Sequence, residues 1–151
     1  MLGRFERFSF ALSSLYRYWH KIVSEEMERL GLKGPCAIYL AALYHHNDGL
    51  TAAELCQLCG KDKSDASRVL SLMEQKGLLL KEGSNQYRAR LKLTQSGYEA
   101  AEQMLDRARL AVDLGGAGIS EEDRAVFYAC LERIAANVRT IGEEGLPEQK
   151  E

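Results

Sequence analysis

The chain has 151 residues, 46 % of them hydrophobic, and a formal net charge of −2, which fits one domain that buries a core without disulfides or a structural metal. It contains no run of about 18 apolar residues, and Met1 to Phe10 mixes Arg4, Glu6 and Arg7 among aromatics, so neither a signal peptide nor a membrane span is expected. Four cysteines, Cys36, Cys56, Cys59 and Cys130, sit in apolar, helix-like text, which favours reduced thiols in a cytoplasmic setting over a disulfide framework.

From Phe5 to Leu30 apolar residues recur at steps of three and four (Phe5, Phe8, Leu12, Leu15, Trp19, Ile22, Val23, Met27, Leu30), the period of one long amphipathic helix. Gly31 and Gly34 punctuate it, and Pro35 suits the first turn of a second helix running to about His46. Asn47-Asp48-Gly49 marks a turn. Thr51 followed by Glu54 makes a capping box for a short third helix that Gly60 ends. Asp62 caps a fourth helix predicted from Lys63 to about Lys76, with Asp65 near the positive end of its dipole.

Gly77 occupies the left-handed C-terminal position, and the period then changes. Leu78 to Leu80, a polar turn from Glu82 to Asn85, and Tyr87 to Leu93 with Ala89, Leu91 and Leu93 alternating with Arg88, Arg90 and Lys92 read as a β-hairpin. Thr94 caps a fifth helix through Val112, broken by Gly115-Gly116-Ala117-Gly118. Ser120 with Asp123 opens a last helix striped by Val126, Phe127, Cys130, Leu131, Ile134, Val138 and Ile141. The tail from residue 143 is polar.

On the fourth helix Ala66, Val69, Leu70 and Met73 share one face, which leaves Ser64, Ser67, Arg68, Ser71 and Gln75 on the other, preceded by Lys61 and Lys63. Short side chains permit close approach to a groove, and an arginine grips guanine or phosphate. Residues 61–94 hold eight Lys/Arg against four Asp/Glu, whereas 95–151 hold six against twelve, as in a DNA-facing module on a solvated scaffold. A capped short helix, a tight turn, a longer helix with a polar outer face and a basic hairpin form the layout of a winged helix-turn-helix.

The strings Thr51-Ala52-Ala53-Glu54-Leu55, Asp62-Lys63-Ser64-Asp65-Ala66-Ser67-Arg68, Glu74-Gln75-Lys76-Gly77-Leu78 and Leu93-Thr94-Gln95-Ser96-Gly97 resemble, in order and separation, successive signatures of the MarR family of transcription regulators. The resemblance implies a mainly α fold with a small β-hairpin wing. Residues 1–34 would form an N-terminal dimerisation helix, 35–94 the DNA-binding module, 95–142 C-terminal dimerisation helices and 143–151 a polar tail. It places Ser64, Ser67 and Arg68 in the major groove of double-stranded DNA and Lys61 and Lys63 near phosphates, with Thr51 and Ser71 beside them. Family members carry Asp-x-Arg ahead of the second wing strand. Asn85 and Tyr87 stand at the matching positions here, which leaves Arg88 and Arg90 as the substitute wing cations.

Leaving Phe8, Leu12, Trp19, Phe127, Leu131 and Ile134 in water would forfeit about 1.5–3 kcal/mol per side chain, and the resemblance implies that terminal helices of two subunits interlock into a homodimer on a pseudo-palindromic operator. It also implies repression relieved by a small aromatic or amphipathic effector in a cleft, for which Tyr16, Trp19, His20, Tyr39 and Tyr44 are available. The same spacing also serves a core. Cys56 and Cys59 form C-x-x-C after His45 and His46, open to a metal or redox sensor, but the interior habit of free cysteine favours structural thiols, with Cys56 in the packed position. No cofactor is expected. Neither is catalysis, because no nucleophile setting accompanies the three histidines and the 115–118 glycines follow a helix, not a strand. A winged helix that binds protein instead of DNA is the remaining alternative.

Overall fold

A computed structural model of the chain describes residues 1–83 and 88–148. Its elements are α1 (Arg4–Arg29), α2 (Cys36–Tyr44), α3 (Ala52–Cys59), α4 (Lys63–Gln75), β1 (Leu79–Glu82), β2 (Arg90–Leu93), α5 (Gln95–Gly115) and α6 (Glu121–Glu144). The fold is therefore mainly α with one small hairpin, as the residue periods predict. The chain divides into two compact units, Met1–Ala111 and Val112–Glu151.

In the first unit α3, α4 and α5 each begin where a side chain satisfies free backbone N–H groups, whereas α2, entered through Pro35, has no side-chain cap. Thr51 Oγ1 accepts from Glu54 N at 3.2 Å while Thr51 N donates to Glu54 Oε2 at 2.8 Å, which completes the capping box. Asp62 Oδ1 accepts from Asp65 N at 2.8 Å, and Thr94 Oγ1 from Gly97 N at 3.1 Å. Helix α4 ends at Gln75 with Lys76 as its C-cap, and Gly77 turns the chain into β1 at φ +70°, a left-handed backbone that a Cβ would strain.

The core gathers Leu40 and Leu43 of α2, Leu55 of α3, Leu70 and Met73 of α4, Leu79, Leu91 and Leu93 of the hairpin, and Ala101 and Met104 of α5. Strands β1 and β2 pair antiparallel with Leu79 opposite Leu93 and Glu82 opposite Arg90. Glu82, expected in the turn, belongs to the strand because it continues this ladder. The second strand begins at Arg90, and the expected turn and strand residues Ser84, Asn85 and Tyr87 lie outside the described residues.

Leu50 adds an isolated single-residue bridge that the sequence reading missed: its N–H and C=O bond the C=O and N–H of Leu91 at 3.1 and 2.8 Å. Thus the hairpin is tied to the segment entering α3. Helix α2 also ends earlier than expected, at Tyr44, and His46 Nδ1 lies 2.7 Å from the Ala42 carbonyl oxygen.

In the second unit Arg124 organises the turn before α6: its guanidinium donates to Gly116 O at 2.8 Å and Ile119 O at 3.3 Å. Ser120 Oγ accepts from Asp123 N at 3.1 Å and caps α6. No described residue of α6 is buried. Among the described residues no helix is long and apolar enough to cross a membrane.

Candidate nucleic-acid interface and adjoining cleft

The two faces of α4 differ as its sequence demands. Ala66, Leu70 and Met73 are buried and Val69 half-buried, which presses this side onto the core. Ser64, Ser67, Arg68, Ser71 and Gln75 are all exposed on the opposite side, with Lys63 exposed and Lys61 half-buried at the N-terminal end. A 13-residue helix is about 20 Å long, and its polar face is open along that whole length. Such a surface offers short hydroxyls and one planar cation to whatever approaches. Arg68 Nη2 bonds Asp65 Oδ1 one turn earlier, a pairing that the i,i+3 spacing of acid and arginine foreshadows.

The remaining residues read as contacts have more varied surroundings. Thr51 is half-buried, and its hydroxyl oxygen is engaged as the α3 cap. Arg88 is exposed at the start of the second wing segment. Arg90 is committed within the chain: Nε donates to Asp48 O and Nη2 to Gly49 O, both at 2.9 Å. Alternation places Arg88 and Arg90 on one side of the strand, but the Asn47–Gly49 turn comes close enough to take the second guanidinium. Arg90 is therefore a brace between wing and turn. On the hairpin Lys92 pairs with Glu82 at 2.8 Å and Lys81 with Glu74 at 3.4 Å.

Beside α4 lies a cleft of about 770 Å³ whose walls come from α1, α2, α4 and α5. Tyr16, Trp19 and His20 of α1 and Tyr39 of α2 line it, with Leu72 of α4 and Met104 of α5. Tyr44, expected among them, does not. It faces away to pack on Tyr98 (ring centroids 6.0 Å) and His45 (5.2 Å). Burial pushes the Tyr39 phenol up to about 12. Lys33 and Asp65, which the sequence reading did not assign to a cleft, also line it. Nothing in the local text of either residue signals that position, which arises from the packing of α4 against α2.

The cysteines correct another expectation. Cys59, not Cys56, takes the packed position: it is buried with Sγ 3.8 Å from Ile38 O, whereas Cys56 is half-buried at the margin of the core. Burial, reinforced by the neighbouring Cys56, pushes the Cys59 thiol up to about 11, so it stays protonated and a poor nucleophile. Among the described residues no three His, Cys, Asp or Glu side chains gather in a group able to hold a metal.

Residues 30–86 match the model of the MarR family. The whole chain is similar in fold to several solved structures. A MarR family transcriptional regulator from Silicibacter pomeroyi is 25 % identical, with 86 % of this chain and 88 % of that one covered and a TM-score of 0.76. A Listeria monocytogenes protein of MarR type in complex with a 26mer DNA is 19 % identical over 99 % and 100 % of the chains, TM-score 0.81. The Staphylococcus aureus MepR–DNA complex is 19 % identical over 87 % and 97 %, TM-score 0.77. No curated protein gives a significant match. The central module thus matches the MarR family model, and the chain shares the winged-helix fold of solved MarR family regulators over most of the length of each.

Proposed function

We propose that this chain is a MarR-type transcription regulator that acts in the cytoplasm as a homodimer on a pseudo-palindromic site in double-stranded DNA, and that it represses until a small effector fills the cleft. The observation that carries the reading is the exposed face of α4, where Ser64, Ser67, Arg68 and Ser71 stand clear of a helix whose other side is anchored in the core. Lys61 and Lys63 at the helix N-terminus suit phosphate contacts, which set affinity and its salt dependence. Arg88 is the wing cation best placed to reach the adjacent backbone or minor groove, because Arg90 is engaged elsewhere.

Dimerisation is supported by what the terminal helices leave exposed. Phe8, Leu12, Trp19, Phe127, Leu131 and Ile134 retain between 39 % and 52 % of their surface, an apolar area that a second copy of the chain would cover. The cleft supports the effector reading by its size and largely apolar, aromatic lining.

The test is retention of native intergenic fragments by the pure protein at physiological salt. Wild type should retain a specific set, and Arg68→Ala should lose about 1–3 kcal/mol of specific affinity. A protein adaptor built on the same fold would retain none. Equal binding by wild type and variant would show that Arg68 does not read DNA.

A further inference from the structure

Arg90 turns away from the partner that a strand cation ordinarily takes. It stands opposite Glu82 in the ladder, yet that carboxylate pairs diagonally with Lys92 at 2.8 Å. The Arg90 guanidinium instead spans two successive carbonyls of the turn before α3, with Nε donating to Asp48 O and Nη2 to Gly49 O, both at 2.9 Å. One planar fork on two adjacent backbone oxygens fixes direction as well as distance, which a flexible ammonium would not do.

The turn that it grips is itself held from several sides. Gly49 lies at φ +79°, and a Cβ there would come within 2.7 Å of Leu91 O and 2.8 Å of Lys92 Cγ. Leu50 exchanges both backbone bonds with Leu91, and Tyr98 Oη of α5 donates to Asn47 Oδ1 at 2.9 Å. The next residue, Thr51, caps α3. The segment 47–51 thus joins the wing, α5 and the helix-turn-helix, and Arg90 is the β2 side chain that ties the wing to it. Two residues before Arg90 stands the exposed Arg88. Resting on the reading of Arg88 as a wing contact to DNA, we propose that Arg90 is a positioning residue for DNA binding, which does not touch the duplex but sets the angle of the wing against the segment that starts α3. Without the fork Arg88 is carried on a wing that must be ordered as it binds, and that ordering costs affinity.

The experiment is a double-mutant cycle on a retained intergenic fragment, with the full-length chain as wild type, Arg88→Met, Arg90→Met, the double variant and Arg90→Lys, and circular dichroism to verify the helices of each. Arg90→Met should weaken binding about three- to tenfold where Arg88 is present and less than about twofold beside Arg88→Met, because a wing without its contact has nothing left to place. Arg90→Lys restores the charge but not the fork and should bind as weakly as Arg90→Met. In the free protein the Leu50 and Leu91 amides should exchange hydrogen faster in Arg90→Met, with the α4 amides unchanged. Equal weakening with and without Arg88 would overturn the proposal, as would unchanged exchange at Leu50 and Leu91. Full affinity in Arg90→Lys would make Arg90 a phosphate contact instead of a brace. A wild type that retains no fragment would take down the DNA-binding reading and this inference with it, whereas a wild type that binds no better than Arg90→Met would sink this inference alone.

Discussion

Gly97 has no room for a side chain. A Cβ there would run into the Leu78 carbonyl oxygen, which already accepts from Thr94 N at 3.0 Å and so fixes the start of α5 against the entry to β1. Gly97→Ala should destabilise the protein by about 1–3 kcal/mol, read as a lower denaturation midpoint in urea with an unchanged slope; an unchanged midpoint would mean that this junction yields freely. Residue-level features of this local kind were legible in the sequence. The local text of Thr51, Asp62, Thr94 and Ser120 marks each as a cap, and each accepts the expected backbone bond. Arg90 was not legible, since its two acceptors lie 41 and 42 residues away and alternation alone cannot reveal which carbonyls a folded turn brings near.

At the scale of elements, helix starts and one helix-to-helix tie depend on ionised carboxylates. Three of them are held below their ordinary values of 4.5 for Glu and 3.8 for Asp: Glu54 by the Thr51 backbone N–H, Asp62 by the Asp65 N–H, and Glu26 by the Arg107 guanidinium that links α1 to α5 at 3.0 and 3.3 Å. A carboxylate depressed in the folded state contributes stability above its unfolded value and loses it as pH falls through the folded one. Thermal midpoints should therefore hold level from pH 7 to about 5 and fall below about 4, and Glu26→Gln should lower the neutral midpoint while shrinking the acid drop. A midpoint independent of pH down to 3 would contradict the assignment. The element order was readable because each helix carries its own period and cap. The Leu50 bridge was not, because a single residue has no period, and the cleft lining of Lys33 and Asp65 depends on how α2 and α4 pack.

For the whole molecule, the proposed function needs a helix held on one side by the core to present its other side to DNA, with a second subunit to cover the apolar faces of the terminal helices. The sequence conveyed both stripes, since Phe8, Trp19, Phe127 and Ile134 lie at helical spacing, but not how much of each the folded chain would leave uncovered. That amount depends on tertiary packing, and it is what turns an apolar pattern into an argument for a partner. The most direct test is protection of guanine N7, a major-groove atom, on a retained fragment. Two protected patches in the major groove are expected on one face of the duplex, about one helical turn or a whole multiple of it apart, both lost in Arg68→Ala. A single patch, or binding that leaves every major-groove guanine reactive, would contradict the proposed function.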